Sequence, residues 1–257
     1  MLISIIIVNH NTGNILQDCI DSVYNFEMQA EYEIIIIDNF SSDNSRIIID
    51  SQTAKYQNIQ SIYTDSLISF SAANNLGINI SKGEFVLILN PDIIFTEPIL
   101  LKLVEYFKQD PSLGAVSPAL IGTDGKFQRN YFQRYPSIRQ FIFYHSIFAK
   151  LFNRSAKRMN KYLENQDIDV STGKLYFTEQ IPCAFFLTTK KILIDIGLMD
   201  ENFKLFFEDV DISYRIAKDK KLVVFTESKV THLGGSSFKT KDNWWPHGRY
   251  IVSMIYF

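Results

Sequence analysis

Short, almost uninterrupted apolar runs alternate with amphipathic segments over the first 120 residues. Runs that are apolar at every position are typical of parallel strands covered on both faces. The segments between them carry apolar residues on one helical face. The predicted strands are "LISIIIVNHN", "YEIIIIDN", "NIQSIYT", "EFVLILN" and "GAVSPAL", and the predicted helices cover residues 12–26, 41–56, 69–81 and 97–109. This alternation predicts an α/β fold with a mostly parallel central sheet and helices on both faces.

The strand–helix alternation stops after residue 120. A hairpin is predicted around Asp124–Gly125, and a basic, aromatic helical stretch is predicted at 137–163. Strand character returns at 174–193, a helix lies within 205–219, and a late strand begins at residue 221. We therefore expect a single domain over residues 1–257. Residues 1–120 would form a nucleotide-binding half, and residues 121–257 would complete the site on the acceptor side.

Charge is distributed unevenly along a chain whose net charge is only −2. Residues 126–163 contain nine of the 26 Lys and Arg residues and none of the 28 Asp and Glu residues. Such asymmetry favours an anionic partner. One interpretation is an anionic membrane surface that presents a lipid-diphosphate-linked acceptor. The other is a basic face in solvent on a segment packed against the core or a second subunit. The number of uncompensated charges favours the first.

Composition indicates a globular protein of a reducing compartment. The two cysteines, Cys19 and Cys183, have no metal-type spacing and are expected to be buried thiols. No basic segment precedes the first apolar run, and no run reaches the ~20 apolar residues of a membrane span. We expect a cytoplasmic protein, in peripheral contact with the inner face of the membrane under the first interpretation above, and no nucleic-acid partner.

Polar residues follow the predicted strands, whereas familiar nucleotide and hydrolase motifs are absent. The sequence has no G-x-G-x-x-G, P-loop, H-E-x-x-H, paired C-x-x-C or G-x-S-x-G. In a doubly wound sheet, ligands bind at the carboxyl ends of the strands. Asp38 could there accept hydrogen bonds from a base or ribose. The alternative is that Asp38 caps the next helix, a role that Ser41, Ser42 or Asp43 could fill equally well.

Asp92 and His232 are candidate metal ligands. A divalent ion bound to a diphosphate needs only one or two protein carboxylates, and a neutral imidazole can supply another ligand. Each residue alone has a simpler interpretation, because Pro91–Asp92 is a common turn pair and a lone histidine is more often structural.

Glu208 and Asp209 lie at the start of a predicted helix, where its dipole stabilises an anion. The aromatic residues before them indicate a partly desolvated pocket, in which a carboxylate can take a proton from a hydroxyl. Asp211 is expected to be an ordinary surface charge. Arg215 is six positions beyond Asp209 and is therefore not expected to be its helix partner.

Six stretches occur in the order found in a known family. They are "SIIIVNHNT", "IIIIDNFSSDNS", "SFSAANNLGINIS", "FVLILNPDI", "LFFEDVDISYR" and "VTHLGGSS", which together span residues 4–237. The chain resembles the inverting family-2 glycosyltransferases of GT-A fold, and more narrowly their rhamnosyltransferase-like branch. The resemblance implies a nucleotide-diphosphate sugar donor, Mn²⁺ or Mg²⁺ as cofactor, and inversion at the anomeric carbon.

The resemblance also implies roles for individual residues. The resemblance implies that Asp209 is the catalytic general base, with Glu208 beside it. It implies that Asp92 and His232 bind the metal. The residues implied in donor binding are Asn9, Asn11, Asp38, Asn74, Asn75 and Asn90. Asn90 stands where the family has the first acid of its Asp-x-Asp metal motif. Only Asp92 of that motif is therefore a carboxylate, so the ion would depend on the donor's own phosphates.

The predicted activity is transfer of a sugar to a glycan or a polyprenyl-diphosphate-linked acceptor in bacterial surface polysaccharide synthesis, with rhamnose as a candidate sugar. Two alternatives stay open. A sugar nucleotidyltransferase would share the sheet but usually has a Gly-rich basic loop, which "NHNTGNILQ" lacks. A non-catalytic carbohydrate-binding module would have no reason to keep Asp92, Asp209 and His232.

Overall fold

The computed structural model describes residues 2–132, 134–135, 168–203 and 206–234, together with the isolated positions 253 and 256. Within them one nine-stranded sheet has the order β3-β2-β1-β4-β8-β6-β9-β5, and β7 also pairs with β9. The strands are β1 Leu2–Asn9, β2 Glu31–Asp38, β3 Ile59–Tyr63, β4 Phe85–Leu89, β5 Ile93–Phe95, β6 Leu113–Ile121, β7 Leu175–Phe177, β8 Phe185–Thr189 and β9 Lys221–His232. The helices are α1 Gly13–Phe26, α2 Ser45–Lys55, α3 Phe70–Ile80, α4 Leu100–Gln109, α5 Lys190–Asp195 and α6 Glu208–Ala217, with a 3₁₀ turn at Arg129–Tyr131.

Strands β1, β2 and β4 are covered on both faces, as the sequence predicts, whereas β3 at the edge of the sheet is mostly half-buried. β1 to β4 pair in parallel. Ile5 and Ile7 of β1 belong to the core that contains the buried side of α1, whereas Ile6 and Val8 belong to the core that contains Ala73 of α3. Each buried isoleucine contributes about 1.5–3 kcal/mol of burial free energy. Burial on both faces therefore explains why β1, β2 and β4 lack the polar alternation of a half-exposed strand.

The second half of the sheet mixes strand directions. β8 lies between β4 and β6 and is antiparallel to both, while β6 and β9 pair in parallel. β5 and β7 pair antiparallel with different parts of β9. The predicted α/β architecture is confirmed, and strands from both halves of the chain alternate within one sheet. The predicted hairpin is also present, since the amide of Gly122 donates to the carbonyl of Lys126.

The predicted start of the fourth helix was wrong by three residues. α4 begins at Leu100, and residues 93–95 form the short strand β5 instead of leading directly into the helix. The helix start is stabilised from outside, because the buried Glu27 carboxylate accepts from the amides of Ile99 at 2.6 Å and Leu100 at 3.2 Å. Burial raises the pKa of Glu27, and these two donors oppose that shift.

The basic, aromatic stretch predicted at 137–163 lies outside the described residues. Among the helices that the structure describes, none combines the length and the apolar character needed to cross a membrane.

Candidate active site

Asn9 and Asp38 lie side by side at the carboxyl ends of β1 and β2, where they are register partners. The Asn9 amide donates to Asp38 Oδ1 at 2.9 Å and to Ser41 Oγ at 3.1 Å. Its carbonyl oxygen accepts from Thr12 Oγ1 at 2.7 Å. Asn9 is fully buried, and both ends of its side chain are used within the protein. The structure thus shows Asn9 orienting Asp38, a buried carboxylate at the end of β2 whose Oδ2 also accepts from the backbone amide of Ser41 at 3.4 Å.

Asn11 ties the loop after β1 to the loop after β2. It adopts a left-handed backbone conformation with φ 55°. The side-chain oxygen of Asn11 accepts from the backbone amide of Ser42 at 2.7 Å, and the backbone amide of Asn11 donates to Ser41 Oγ at 2.9 Å. The alternative role for Asp38 as a helix cap is wrong, because α2 begins only at Ser45 and its first amide donates to Asp43 at 3.0 Å.

The two adjacent asparagines of α3 have different surroundings. Asn75 is committed to the protein: its amide donates to the carbonyl of Met199 and to Glu201 Oε1, both at 2.9 Å, and its oxygen accepts from the amide of Met199 at 3.1 Å. Asn74 donates to the carbonyl of Phe70 at 2.9 Å, and its buried Oδ1 has no hydrogen-bond partner. Asn75 therefore clamps a loop, whereas Asn74 retains a free acceptor.

Asp92 and His232 meet because β5 pairs with the end of β9, which places Ile93 opposite His232. Asp92 is 6% exposed and His232 is 2% exposed. Asp92 Oδ1 is buried without a hydrogen bond and lies 3.4 Å from His232 Nε2. Asn90 is half-buried two residues earlier, at the end of β4.

Sequence reasoning missed two neighbours of this pair, Gln128 and Tyr131. Gln128 Oε1 lies 2.6 Å from His232 Nδ1, and its Nε2 donates to the His232 carbonyl at 3.1 Å. The Tyr131 ring packs edge-on against the imidazole, with centroids 4.7 Å apart. Both residues follow the hairpin, and no motif marks them.

A hard divalent cation fits between Asp92 and His232, because the buried carboxylate oxygen lacks a hydrogen-bond donor and an imidazole nitrogen faces it. In the part of the chain that the structure describes, no group of three or more His, Cys, Asp or Glu side chains could hold a metal ion alone. The pair would need oxygen atoms from a bound diphosphate to complete the coordination.

Glu208 and Asp209 open α6 after two strained residues. Phe206 and Phe207 have left-handed φ values of 65° and 68°, a conformation that is costly for bulky side chains and is common at functional sites. Asp209 Oδ1 accepts from the amide of Val210 at 2.9 Å. Glu208 Oε2 is buried without a hydrogen-bond partner.

The two carboxyls differ in protonation. Burial raises the pKa of Asp209 to about 6. Burial and then the charge of Asp209 raise the pKa of Glu208 to about 8. At neutral pH, Asp209 is therefore ionised while Glu208 is protonated, a division typical of acid–base sites.

The segment before β8 lies between the end of β4, which leads to Asp92, and the helix that begins with Glu208 and Asp209. The amide of Asn90 donates to the carbonyl of Ala184 at 3.0 Å. Burial, together with the negative charges of Asp209 and Glu208, raises the pKa of the neighbouring Cys183. The amide of Ile181 donates to Ser213 Oγ of α6, one helical turn beyond Asp209, at 3.1 Å, so α6 and the end of β4 both contact the segment Ile181–Ala184. Both cysteines are buried free thiols, as predicted.

The interpretation of Asp211 as an ordinary surface charge was wrong. Arg215 Nη2 lies 2.5 Å from Asp211 Oδ2, and Nη1 donates at 2.7 Å to the carbonyls of Ile196 and Leu198. The pair fixes α6 to the preceding turn and borders a cavity of about 480 Å³. Arg215 thus pairs with Asp211 and not with Asp209, as the helical spacing indicated.

The family model described as "Glycosyl transferase family 2" matches residues 4–179. The chain belongs to this family. The match covers the strand-end residues Asn9, Asp38, Asn90 and Asp92, and it ends before Asp209 and His232.

Among curated relatives of this family-2 chain is a poly(ribitol-phosphate) beta-glucosyltransferase of Bacillus spizizenii, 34% identical over 44% of this chain and 18% of that protein. Glycosyltransferase GlyG of Streptococcus pneumoniae is 25% identical over 75% of this chain and 67% of that protein. The poly(ribitol-phosphate) beta-N-acetylglucosaminyltransferase TarP of Staphylococcus aureus is 29% identical over 62% of this chain and 51% of that protein. The matched regions thus make up from under a fifth to about two thirds of these relatives.

Solved structures confirm the GT-A fold of this family-2 chain. GalNAc-T7 with UDP, GalNAc and Mn²⁺ has a TM-score of 0.66 at 18% identity, covering 90% of this chain and 43% of that one. The mannosyltransferase PcManGT of Pyrobaculum calidifontis, in complex with GDP-Man and Mn²⁺, has a TM-score of 0.64 at 14% identity, covering 98% of this chain and 62% of that one.

Proposed function

We propose that the chain is a metal-dependent, inverting glycosyltransferase that moves a sugar from a nucleotide-diphosphate donor to a surface glycan or lipid-linked acceptor. One observation carries the proposal. The helix that begins with Glu208 and Asp209 and the strand end that leads to Asp92 both hydrogen-bond the segment Ile181–Ala184. Displacement of a diphosphate from a sugar by a hydroxyl needs a base for the hydroxyl and a cation for the diphosphate. A base and a cation site that contact one segment fit this reaction.

The donor would lie along the strand ends. Asp38, oriented by Asn9, would accept hydrogen bonds from the base or ribose, and Asn11, Asn74 and Asn90 would contact the donor nearby. Asp92 and His232 would hold Mn²⁺ or Mg²⁺, which would neutralise charge on the departing diphosphate. Solved neighbours with Mn²⁺ and nucleotide or nucleotide-sugar ligands support this arrangement.

Asp209 would act on the acceptor. Its carboxylate takes the proton of the attacking hydroxyl, the hydroxyl oxygen bonds to the anomeric carbon, and the bond from that carbon to the diphosphate oxygen breaks. A single displacement inverts the anomeric configuration. Glu208, protonated at neutral pH, adds no second negative charge beside the base.

The acceptor and sugar classes follow from the relatives. Two of them carry names that specify transfer of glucose or N-acetylglucosamine to poly(ribitol phosphate). We propose a polymer of the bacterial cell surface as acceptor. None of the relatives and neighbours reported above has rhamnose in its name, so rhamnose stays a prediction from the motif resemblance alone.

Thermal unfolding with candidate ligands tests this function. We expect nucleoside diphosphates and their sugars to raise the Tm of the purified protein with Mn²⁺, and to raise it less with EDTA. A ligand at a hundred times its Kd adds about 2.7 kcal/mol to the free energy of unfolding. Asp92→Asn should remove the Mn²⁺-dependent part. If no nucleotide shifts the Tm under either condition, the carbohydrate-binding alternative is favoured instead.

A further inference from the structure

We propose that Gln128 is a positioning residue that locks the His232 imidazole in its Nδ1–H tautomer and aims the Nε2 lone pair at the cation site beside Asp92. The proposal deepens the proposed function and rests on it for the identity of the ligand. The tautomer itself follows from the protein's own hydrogen bonds.

The orientation of the Gln128 amide is fixed by its two contacts with one residue. The His232 carbonyl oxygen can only accept, so the Gln128 atom 3.1 Å from it must be the Nε2 donor. Oε1 is then the atom that lies 2.6 Å from His232 Nδ1. Because a carbonyl oxygen cannot donate, Nδ1 must carry the hydrogen.

This tautomer leaves two acceptors facing each other. When Nδ1 carries the ring proton, Nε2 presents a lone pair, and Asp92 Oδ1 lies 3.4 Å away. Oδ1 is buried and has no hydrogen-bond partner. The other tautomer would place a donor at Nε2 and satisfy Asp92 without a metal. Gln128 thus disfavours the tautomer in which His232 would donate to Asp92 and occupy the cation site. Residues that hydrogen-bond the second nitrogen of metal-binding histidines have this effect.

The surroundings hold Gln128 in place. Its backbone amide donates to the carbonyl of Leu120 at 2.9 Å, and its carbonyl accepts from the amide of Tyr131 at 3.2 Å. The Tyr131 ring fixes the plane of the imidazole. Gly234, at φ 70°, passes close by, and a Cβ there would lie 3.7 Å from Gln128 Nε2.

Gln128 and His232 both belong to residues 121–257, whereas Asp92 belongs to residues 1–120. Gln128 therefore sets which His232 nitrogen faces a carboxylate of the other half of the chain.

Two measurements test the proposal. ¹⁵N NMR of the metal-free protein reports the tautomer of His232, and electron paramagnetic resonance monitors Mn²⁺ binding during a titration in the presence of UDP. Wild type should show the Nδ1–H tautomer. Gln128→Met, close in size but unable to make these hydrogen bonds, should shift His232 towards Nε2–H. It should also weaken Mn²⁺ binding about 10- to 100-fold, the usual effect of removing such a partner. Metal-free UDP binding should not change.

Two variants separate positioning from general stability. Gln60→Met removes a comparable hydrogen bond, from Gln60 to buried Glu33 at 3.1 Å, at the β2–β3 edge. It should leave Mn²⁺ affinity and the His232 tautomer as in wild type. Gln128→Glu keeps an acceptor for Nδ1–H, and should retain that tautomer and bind Mn²⁺ more tightly than Gln128→Met.

An Nε2–H tautomer in wild type would overturn the proposal without recourse to any variant. The proposal would also be overturned if Gln128→Met bound Mn²⁺ as tightly as wild type and lost only thermal stability. Failure of UDP to bind wild type would instead refute the proposed function. In that case the tautomer in wild type and in Gln128→Met would still decide the role of Gln128.

Discussion

Asp209 combines burial with a position at the start of α6, and this sets the expected pH dependence. Its pKa is raised to about 6, so the ionised base forms as the pH rises through that value. We expect kcat/KM to fall about tenfold per pH unit below 6 and to level off above it. Measurement from pH 5 to 8 checks this.

Glu208→Gln provides the control for that profile. Glu208 is already protonated near pH 6, because its pKa is raised to about 8. The variant should therefore keep the midpoint of wild type. A rate that does not change between pH 5 and 7 would contradict the assignment of Asp209 as the base.

Phe40 occupies a conformation that its side chain disfavours. Its φ is 60°, directly after the Asp38–Asn39 pair, and the residue is 54% exposed. A left-handed conformation costs a residue with a Cβ roughly 1–2 kcal/mol, and asparagine tolerates it better. Phe40→Asn should therefore raise the free energy of unfolding by about 0.5–1 kcal/mol in urea.

Ile47→Asn is the matched control for Phe40→Asn. Ile47 is 73% exposed and lies within α2, where its φ is already favourable. Its replacement should give no gain in stability. If both variants change stability by the same amount, lost surface apolarity and not backbone strain would be the cause.

At the scale of elements, the Asn75 side chain is the main hydrogen-bonding link between α3 and the loop before α6, and Ser69 at the start of α3 adds one bond to Glu201. Asn75 makes three hydrogen bonds to Met199 and Glu201. Breaking a buried polar contact on one side costs about 1–3 kcal/mol. We expect Asn75→Ala to lose that much stability in urea, while the nucleotide affinity of the folded protein stays within twofold of wild type.

Asn79→Ala on the exposed face of the same helix should change stability by less than about 0.5 kcal/mol. A large loss of nucleotide affinity in Asn75→Ala, without a loss of stability, would restore Asn75 to the donor-binding residues implied by the motif resemblance.

Elements that depend on local pattern were predictable, and those that depend on pairing were not. The apolar runs of β1, β2 and β4 identify buried strands because both faces of these strands are covered. Nothing local places β8 between β4 and β6, since that choice depends on long-range pairing. The start of α4 was misplaced because Glu27, 72 residues before Ile99, supplies the cap.

The candidate site follows the same rule. Asp38, Asp92 and Asp209 stand out because they end strands or begin a helix. The structural uses of Asn9 and Asn75, and the contact of Gln128 with His232, join residues 29, 124 and 104 positions apart. No sequence spacing marks such pairs.

At the scale of the whole molecule, the concentration of positive charge predicts binding to anionic membranes. Residues 126–163 carry nine Lys and Arg residues without an acid. We expect the protein to bind liposomes that contain anionic lipid, and to bind them less as salt increases, because exposed charges are screened. Co-sedimentation measures both.

Replacing Arg139, Lys150 and Lys157 together by glutamate should remove most of the binding to anionic liposomes and leave nucleotide affinity unchanged. Equal binding to neutral liposomes, or binding to neither kind, would favour the alternative in which this basic face meets only solvent.

The central claim is that Asp209 performs the chemistry and the strand ends hold the donor. The most direct measurement compares sugar transfer and Mn²⁺-dependent nucleotide binding in Asp209→Asn. Asp219→Asn, an exposed acid just beyond α6, serves as control. We expect Asp209→Asn to lower kcat about 10²- to 10⁴-fold while nucleotide binding stays within twofold of wild type. Transfer at the rate of Asp219→Asn would contradict it.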